Sequence, residues 1–166
     1  MSDPSILDPA VRAAITRHGL ACEVLACDPG LADTAAFCAH YGVAIEDAAN
    51  TILVASKRLE PVRYAVCVLL GTTRLDVNHA VADLMGTKKL SFADAEVTQA
   101  VTGMMIGGVT AVGVVGHPVY VDAAVMERTR VVMGGGNRSS KLLLDPHELL
   151  KLPGVTVIDA LARPAA

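Results

Sequence analysis

The sequence has no tryptophan, and its 166 residues include two phenylalanines and three tyrosines. Membrane-spanning chains carry tryptophan and tyrosine belts at the interfaces and flank their spans with basic residues, and neither pattern occurs here. The formal net charge of −3 leaves too little positive charge for a protein that coats nucleic acid through many phosphate contacts. A local basic groove is still compatible with Arg58, Arg63, Arg74, Lys88, Lys89, Arg138, Lys141 and Lys151. Cys22, Cys27, Cys38 and Cys67 form no Cys-x-x-Cys pair and have no histidine at zinc-finger spacing, so they read as buried free thiols in a reducing compartment. The five histidines share no metal-like spacing. No phosphate-binding Gly-x-x-x-x-Gly-Lys-Ser/Thr, no Gly-x-Gly-x-x-Gly after a strand and no Gly-x-Ser-x-Gly elbow is present. Met1-Ser2-Asp3-Pro4 lacks the basic start and apolar run of a secretory signal, so a cytoplasmic protein is expected.

What the chain does have is apolar mass, with 52% hydrophobic residues and a mean hydropathy of +0.47, enough for the core of one domain over residues 1–166. Its most informative stretch is the run from Val97 to Val121, which contains Thr102-Gly103-Met104-Met105-Ile106-Gly107-Gly108-Val109-Thr110-Ala111-Val112-Gly113 and no Asp, Glu, Lys or Arg. Its length would cross a bilayer core of about 30 Å as a helix. Against a span, each internal glycine costs about 1 kcal/mol in a helix and Pro118 about 3 kcal/mol. The alternative is a buried strand-turn-strand passage whose glycines bring backbone N–H groups up to a ligand. A second cluster, Gly134-Gly135-Gly136, follows two further strands, so two glycine turns could face one cleft.

The remaining pattern predicts mixed elements. Asp8-Pro9 opens a first helix that ends near Gly19, Leu20 to Cys27 reads as a strand, and Leu31 to Tyr41 as a helix stopped by Gly42, with a short helical turn over Glu46 to Ala49. Thr51 to Ala55 and Tyr64 to Leu70 suggest a hairpin in a sheet covered on both faces. Two helices are expected over Val77 to Met85 and Ala93 to Val101, the second with Ser91-Phe92-Ala93-Asp94 as its capping box. Val119 to Val121, Arg130 to Met133 and Lys141 to Leu144 read as strands, Asp145-Pro146 starts a helix, and Val155 to Ile158 closes the sheet. This order does not alternate strictly, so a doubly wound parallel fold is not favoured.

Ala49-Asn50-Thr51-Ile52-Leu53-Val54, Thr73-Arg74-Leu75-Asp76, Leu84-Met85-Gly86-Thr87-Lys88-Lys89, Thr102 to Gly113 and Gly134-Gly135-Gly136-Asn137-Arg138 stand in a particular order. In that order the chain resembles the YbaK-type, prolyl-tRNA-synthetase-associated editing domains, from about Asp8 to Leu161. The resemblance implies a single mixed α/β domain with a curved, barrel-like sheet surrounded by helices. It implies a trans-editing deacylase that hydrolyses the ester of a mischarged tRNA, commonly tRNA(Pro) carrying alanine, cysteine or serine, with no metal and no cofactor. The 3′ acceptor end of an aminoacyl-tRNA is then the partner, a synthetase is a candidate for a further one, and no membrane is involved. The absence of a synthetase domain implies action in trans.

By the same resemblance Asn50, Gly107 and Gly108 are the catalytic candidates, while Thr51, Thr110, Gly134, Gly135, Asn137 and Arg138 bind substrate. Backbone N–H donors from the glycine loop would hold the oxyanion formed when water attacks the ester. Arg138, Lys141 and Lys88 are candidate phosphate contacts. Most of the family has lysine where this chain has Asn50, and often proline where it has Ala111. The neutral amide removes a charge-assisted contact. A non-catalytic module that binds aminoacyl-tRNA or a small acyl ligand is the alternative that this loss motivates.

Overall fold

Aspartate, proline and glycine mark off the first elements in the computed structural model, which describes residues 2–165. Asp8 accepts the Ala10 N–H at 2.9 Å and Pro9 takes the first helical position, so α1 spans Pro9–His18 and stops at Gly19 in the left-handed region. β1 is Glu23–Ala26, and α2 is Thr34–Tyr41, closed by left-handed Gly42. A 3-10 turn at Ile45–Asp47 leads into β2 (Ala49–Ser56), which pairs antiparallel with β3 (Tyr64–Leu70) as the apolar runs predict. β4 (Thr73–Leu75) is followed by a π-helical turn at Val77–Val81 that continues into α3 (Ala82–Met85).

The middle of the chain departs from the sequence reading. Leu90–Phe92 is a short strand, β5, on the edge of β2. The next helix, α4 (Ala95–Thr102), is capped by Asp94, which accepts the Val97 N–H at 2.8 Å; Ser91, the expected cap, lies inside β5. The glycine run is not strand-turn-strand. It comprises most of α4, an irregular loop over residues 103–118, and β6 (Val119–Asp122), and no helix among the described residues is long and apolar enough to cross a membrane. α5 (Ala123–Met126), β7 (Val131–Gly134), β8 (Ser140–Leu144), a 3-10 segment at Pro146–Lys151, β9 (Val155–Ile158) and β10 (Ala162–Pro164) complete the order.

These strands form a five-stranded mixed sheet in the order β5-β2-β3-β6-β9, a three-stranded antiparallel sheet β1-β8-β7, and the pair β10-β4. Among the described residues no sheet closes on itself, so the architecture is a mixed α/β domain rather than a closed barrel. β3 shows why its sequence is apolar throughout. Val66, Val68 and Leu70 point into the main core with Met133, Leu142 and Leu144, while Ala65, Cys67 and Leu69 face a second cluster with Val81, Met85 and Leu161. A third cluster joins Phe37 and Cys38 of α2 to Cys27, Ala32, Ala48 and Val132. An isolated parallel bridge between Ala48 and Val132 links the two larger sheets at that point.

Candidate functional site

Where those two sheets meet, a cavity of about 240 Å³ opens between α2, β2, β7, β8 and the glycine loop. Asn50 and Thr51 contribute from β2, Gly134 from β7, Lys141 from β8, Ile106, Gly107 and Val109 from the loop, and Thr34, Phe37 and Cys38 from α2. Of the nine site residues inferred from the family resemblance, Asn50, Thr51, Gly107 and Gly134 therefore meet at one cavity. Gly108, Thr110, Gly135, Asn137 and Arg138 do not line it.

Asn50 is oriented by its neighbour across the cavity. The Thr34 hydroxyl donates to Asn50 Oδ1, and the Asn50 amide nitrogen has no acceptor among the described residues. The side chain thus offers two unused N–H donors. Thr51 Oγ1 is buried and has no hydrogen-bond partner. An unpaired buried hydroxyl is uncommon in a folded core.

The loop supplies further free donors. Gly108 N–H is taken by the Met105 carbonyl at 2.9 Å, whereas no acceptor among the described residues bonds the N–H groups of Gly107 and Val109. Gly107 sits at φ 91, a backbone state that other residues rarely adopt. Gly108 serves contact instead. A Cβ there would overlap the Asn137 carbonyl oxygen, and its own carbonyl accepts the Gly136 N–H at 2.6 Å. Met105 N–H reaches the Gly136 carbonyl at 3.3 Å, so the two glycine clusters are in direct backbone contact and not merely opposite each other.

The polar residues of the second cluster hold this arrangement. Asn137 Nδ2 donates to the Ile6 carbonyl at 2.9 Å, and its Oδ1 accepts the Ser139 N–H at 3.0 Å and the Ser140 hydroxyl at 2.8 Å. Arg138 ties three segments together through the Pro29 carbonyl at 2.9 Å, the Ile106 carbonyl at 2.9 Å and Asp33 Oδ1 at 3.2 Å. Thr110 is fully buried, with its hydroxyl 3.4 Å from the Val112 N–H.

The sequence reading placed Lys141 among surface phosphate contacts, and the structure corrects this. It is 6% exposed, and its ammonium donates to the Ala32 carbonyl at 2.5 Å and the Gly107 carbonyl at 2.8 Å, beside the Phe37 ring. Burial pulls its proton affinity below the usual lysine range. Alternation gives no warning of this: Lys141 falls on the face opposite the core residues Leu142 and Leu144, ordinarily the solvent face, and is buried because Ala32 and Phe37 cover it. Lys88, by contrast, is exposed. Cys38 lines the cavity as well, but burial raises its thiol pKa, which keeps it from acting as a ready thiolate. Among the described residues no group of three or more His, Cys, Asp or Glu side chains is placed to hold a metal ion.

The model of the aminoacyl-tRNA editing domain family matches residues 28–152, which include every cavity residue named above. Among solved structures, hypothetical protein APE2540 is 27% identical with a TM-score of 0.80, over 90% of this chain and 97% of that one. A candidate trans-editing enzyme for prolyl tRNA synthetase is 24% identical with a TM-score of 0.77, over 92% and 97%. The same fold also occurs within a longer chain. A candidate signal transduction protein from Marinobacter aquaeolei VT8, 16% identical with a TM-score of 0.63, matches 92% of this chain and 30% of its own.

Proposed function

The chain belongs to the aminoacyl-tRNA editing domain family, and from that premise we propose that it is a deacylase acting in trans on mischarged tRNA. The substrate we assign is tRNA(Pro) carrying a small wrong amino acid, bound by its 3′ acceptor end in the cytoplasm. The observation that carries this reading is that Asn50, Gly107 and Val109, each with N–H groups that have no acceptor among the described residues, line one small cavity.

The chemistry follows from those donors. A water oxygen adds to the ester carbonyl carbon, and the carbonyl oxygen takes up negative charge. Fixed N–H groups stabilise that oxyanion, and the loss of one such donor costs about 2.7–4 kcal/mol in well-studied hydrolases. Collapse breaks the bond between the acyl carbon and the ribose oxygen, which leaves with a proton. The vicinal ribose hydroxyl of the substrate positions the water and passes protons. The cavity's ionisable side chains are Asp33, paired with Arg138, Cys38, whose thiol pKa burial raises, and Lys141, bonded to two carbonyls.

In this assignment Gly107 and Val109 hold the oxyanion, Gly108 shapes the loop, and Asn50 donates to the ester or ribose. The lysine-to-asparagine departure supports a second reading, a binding module without catalysis. Both are tested by incubating the protein with tRNA(Pro) charged with alanine, serine or cysteine and following release of the amino acid. Release at least ~10-fold above the uncatalysed rate, reduced roughly 10–1,000-fold in Asn50→Ala, is the expected result. Tight binding without accelerated release would establish the module instead.

A further inference from the structure

We propose that Lys141 selects the acyl group, and that the cavity takes an amino acid whose side chain ends in an oxygen acceptor, a hydroxyl or a carboxylate, in preference to alanine. This deepens the deacylase reading of the same cavity and rests on it for the identity of the ligand.

An ammonium has three protons and no acceptor capacity. Two of those of Lys141 are given to the Ala32 and Gly107 carbonyls, and no carboxylate pairs with it among the described residues. The nearby Asp33 is held by Arg138 instead. Lys141 is therefore a buried cation with an unused donor on the wall of a cavity. Burying a charge without a counter-charge is strongly unfavourable unless something supplies the missing interaction. Two carbonyls and the Phe37 ring 5.4 Å away supply part of it.

Size and charge decide what supplies the rest. The cavity, at about 240 Å³, is smaller than the usual small-molecule pocket of about 300–1,000 Å³. It admits an amino-acid-sized group, while the nucleotide stays outside. A backbone phosphate cannot reach an ammonium that is 6% exposed. The α-ammonium of an aminoacyl ester is repelled by Lys141 and must point away. The group facing Lys141 is then the side chain, and an oxygen there completes the third hydrogen bond. A methyl group leaves the donor unpaired, which is the situation in which a polar site rejects an analogue most strongly. The two carbonyl acceptors favour the protonated amine and so oppose the effect of burial on its proton affinity.

The test uses the full chain and non-hydrolysable 3′-amide analogues of aminoacyl-adenosine carrying alanine, serine or aspartate, with binding measured by calorimetry. Deacylation of tRNA(Pro) carrying the same three amino acids is measured in parallel. Wild-type protein is expected to bind the serine or aspartate analogue at least ~10-fold more tightly than the alanine analogue, and Lys141→Met to lose that preference. The serine and aspartate arms separate a hydroxyl from a carboxylate. Equal binding of all three by the wild type, or a preference unchanged in Lys141→Met, overturns the proposal even where deacylation is observed. Preferential binding without deacylation of any substrate overturns the deacylase reading and leaves the role of Lys141 standing. Should Lys141→Met fail to fold, Lys141→Gln, whose two N–H donors serve the two carbonyls and leave none for the ligand, is measured in its place and must lose the preference.

Discussion

At the scale of single residues, the site depends on which groups are already satisfied and which are not. Asn137, Arg138 and Gly108 carry much of the local hydrogen bonding and packing, yet their polar groups are committed to the protein. Asn50, Thr51, Gly107 and Val109 retain free donors or an unpaired hydroxyl at the cavity. The two neighbouring glycines separate these roles. In Gly108→Ala the new methyl meets fixed backbone at Asn137, so the two glycine clusters must move apart. We expect a loss of roughly 1–3 kcal/mol in stability, measured by urea unfolding, with deacylation reduced in parallel. Unchanged stability would show that the contact between the clusters is not close-packed. The thiols are equally committed: burial pushes Cys67 up to about 12, in keeping with a core residue and against a nucleophile.

At the scale of elements, strand and helix ends bring distant segments together through single side chains. Asp33 occupies the N-cap position before α2, yet its carboxylate makes no capping hydrogen bond and is turned to Arg138, while Thr34 is turned to Asn50. The start of this helix is thus used to orient the site. Asp122 plays the corresponding part at the end of β6, where its Oδ1 accepts the Leu161 N–H at 3.0 Å and the Ala162 N–H at 3.3 Å. Burial pushes the Asp122 carboxyl above the ordinary aspartate range, with the N–H donors offsetting only part of the shift. A carboxyl raised in this way contributes its full stability below the unfolded value of 3.8 and loses it as pH rises through the folded value. Asp122→Ala leaves two N–H groups without their acceptor, each worth about 1–3 kcal/mol when buried. The difference in unfolding free energy between wild type and Asp122→Ala should therefore be larger near pH 4 than at pH 7. A difference that grows with pH would contradict the direction assigned to this carboxyl.

At the scale of the whole molecule, what could be read from the sequence was what local chemistry determines. Asp-Pro and glycine signals marked α1 and α2, and the apolar runs marked β2, β3, β6, β7, β8 and β9. The three-residue strands β4, β5 and β10 escaped notice, because alternation over so few residues is no signal and their partners are distant. The glycine run was misread as paired strands because its hydrogen bonds go to the 134–136 cluster, which proximity in sequence does not reveal. Lysine is exposed by default, so the sequence puts Lys141 on the surface, whereas β8 is covered on both faces. Near the end of the described chain β10 pairs with β4, and the preceding Leu161 is completely buried in the second core. That core contains Cys67, Leu69, Val81 and Met85, none of which lines the cavity. Removing a fully buried leucine costs about 2–5 kcal/mol through lost burial and the cavity left behind. Leu161→Ala should lower the urea unfolding midpoint accordingly, while the folded fraction keeps its deacylation rate at low temperature, since the main core and the glycine loops are untouched. A variant that keeps its stability would mean that the second core closes without Leu161. Loss of activity in protein that remains folded would mean that the two faces of the sheet are coupled.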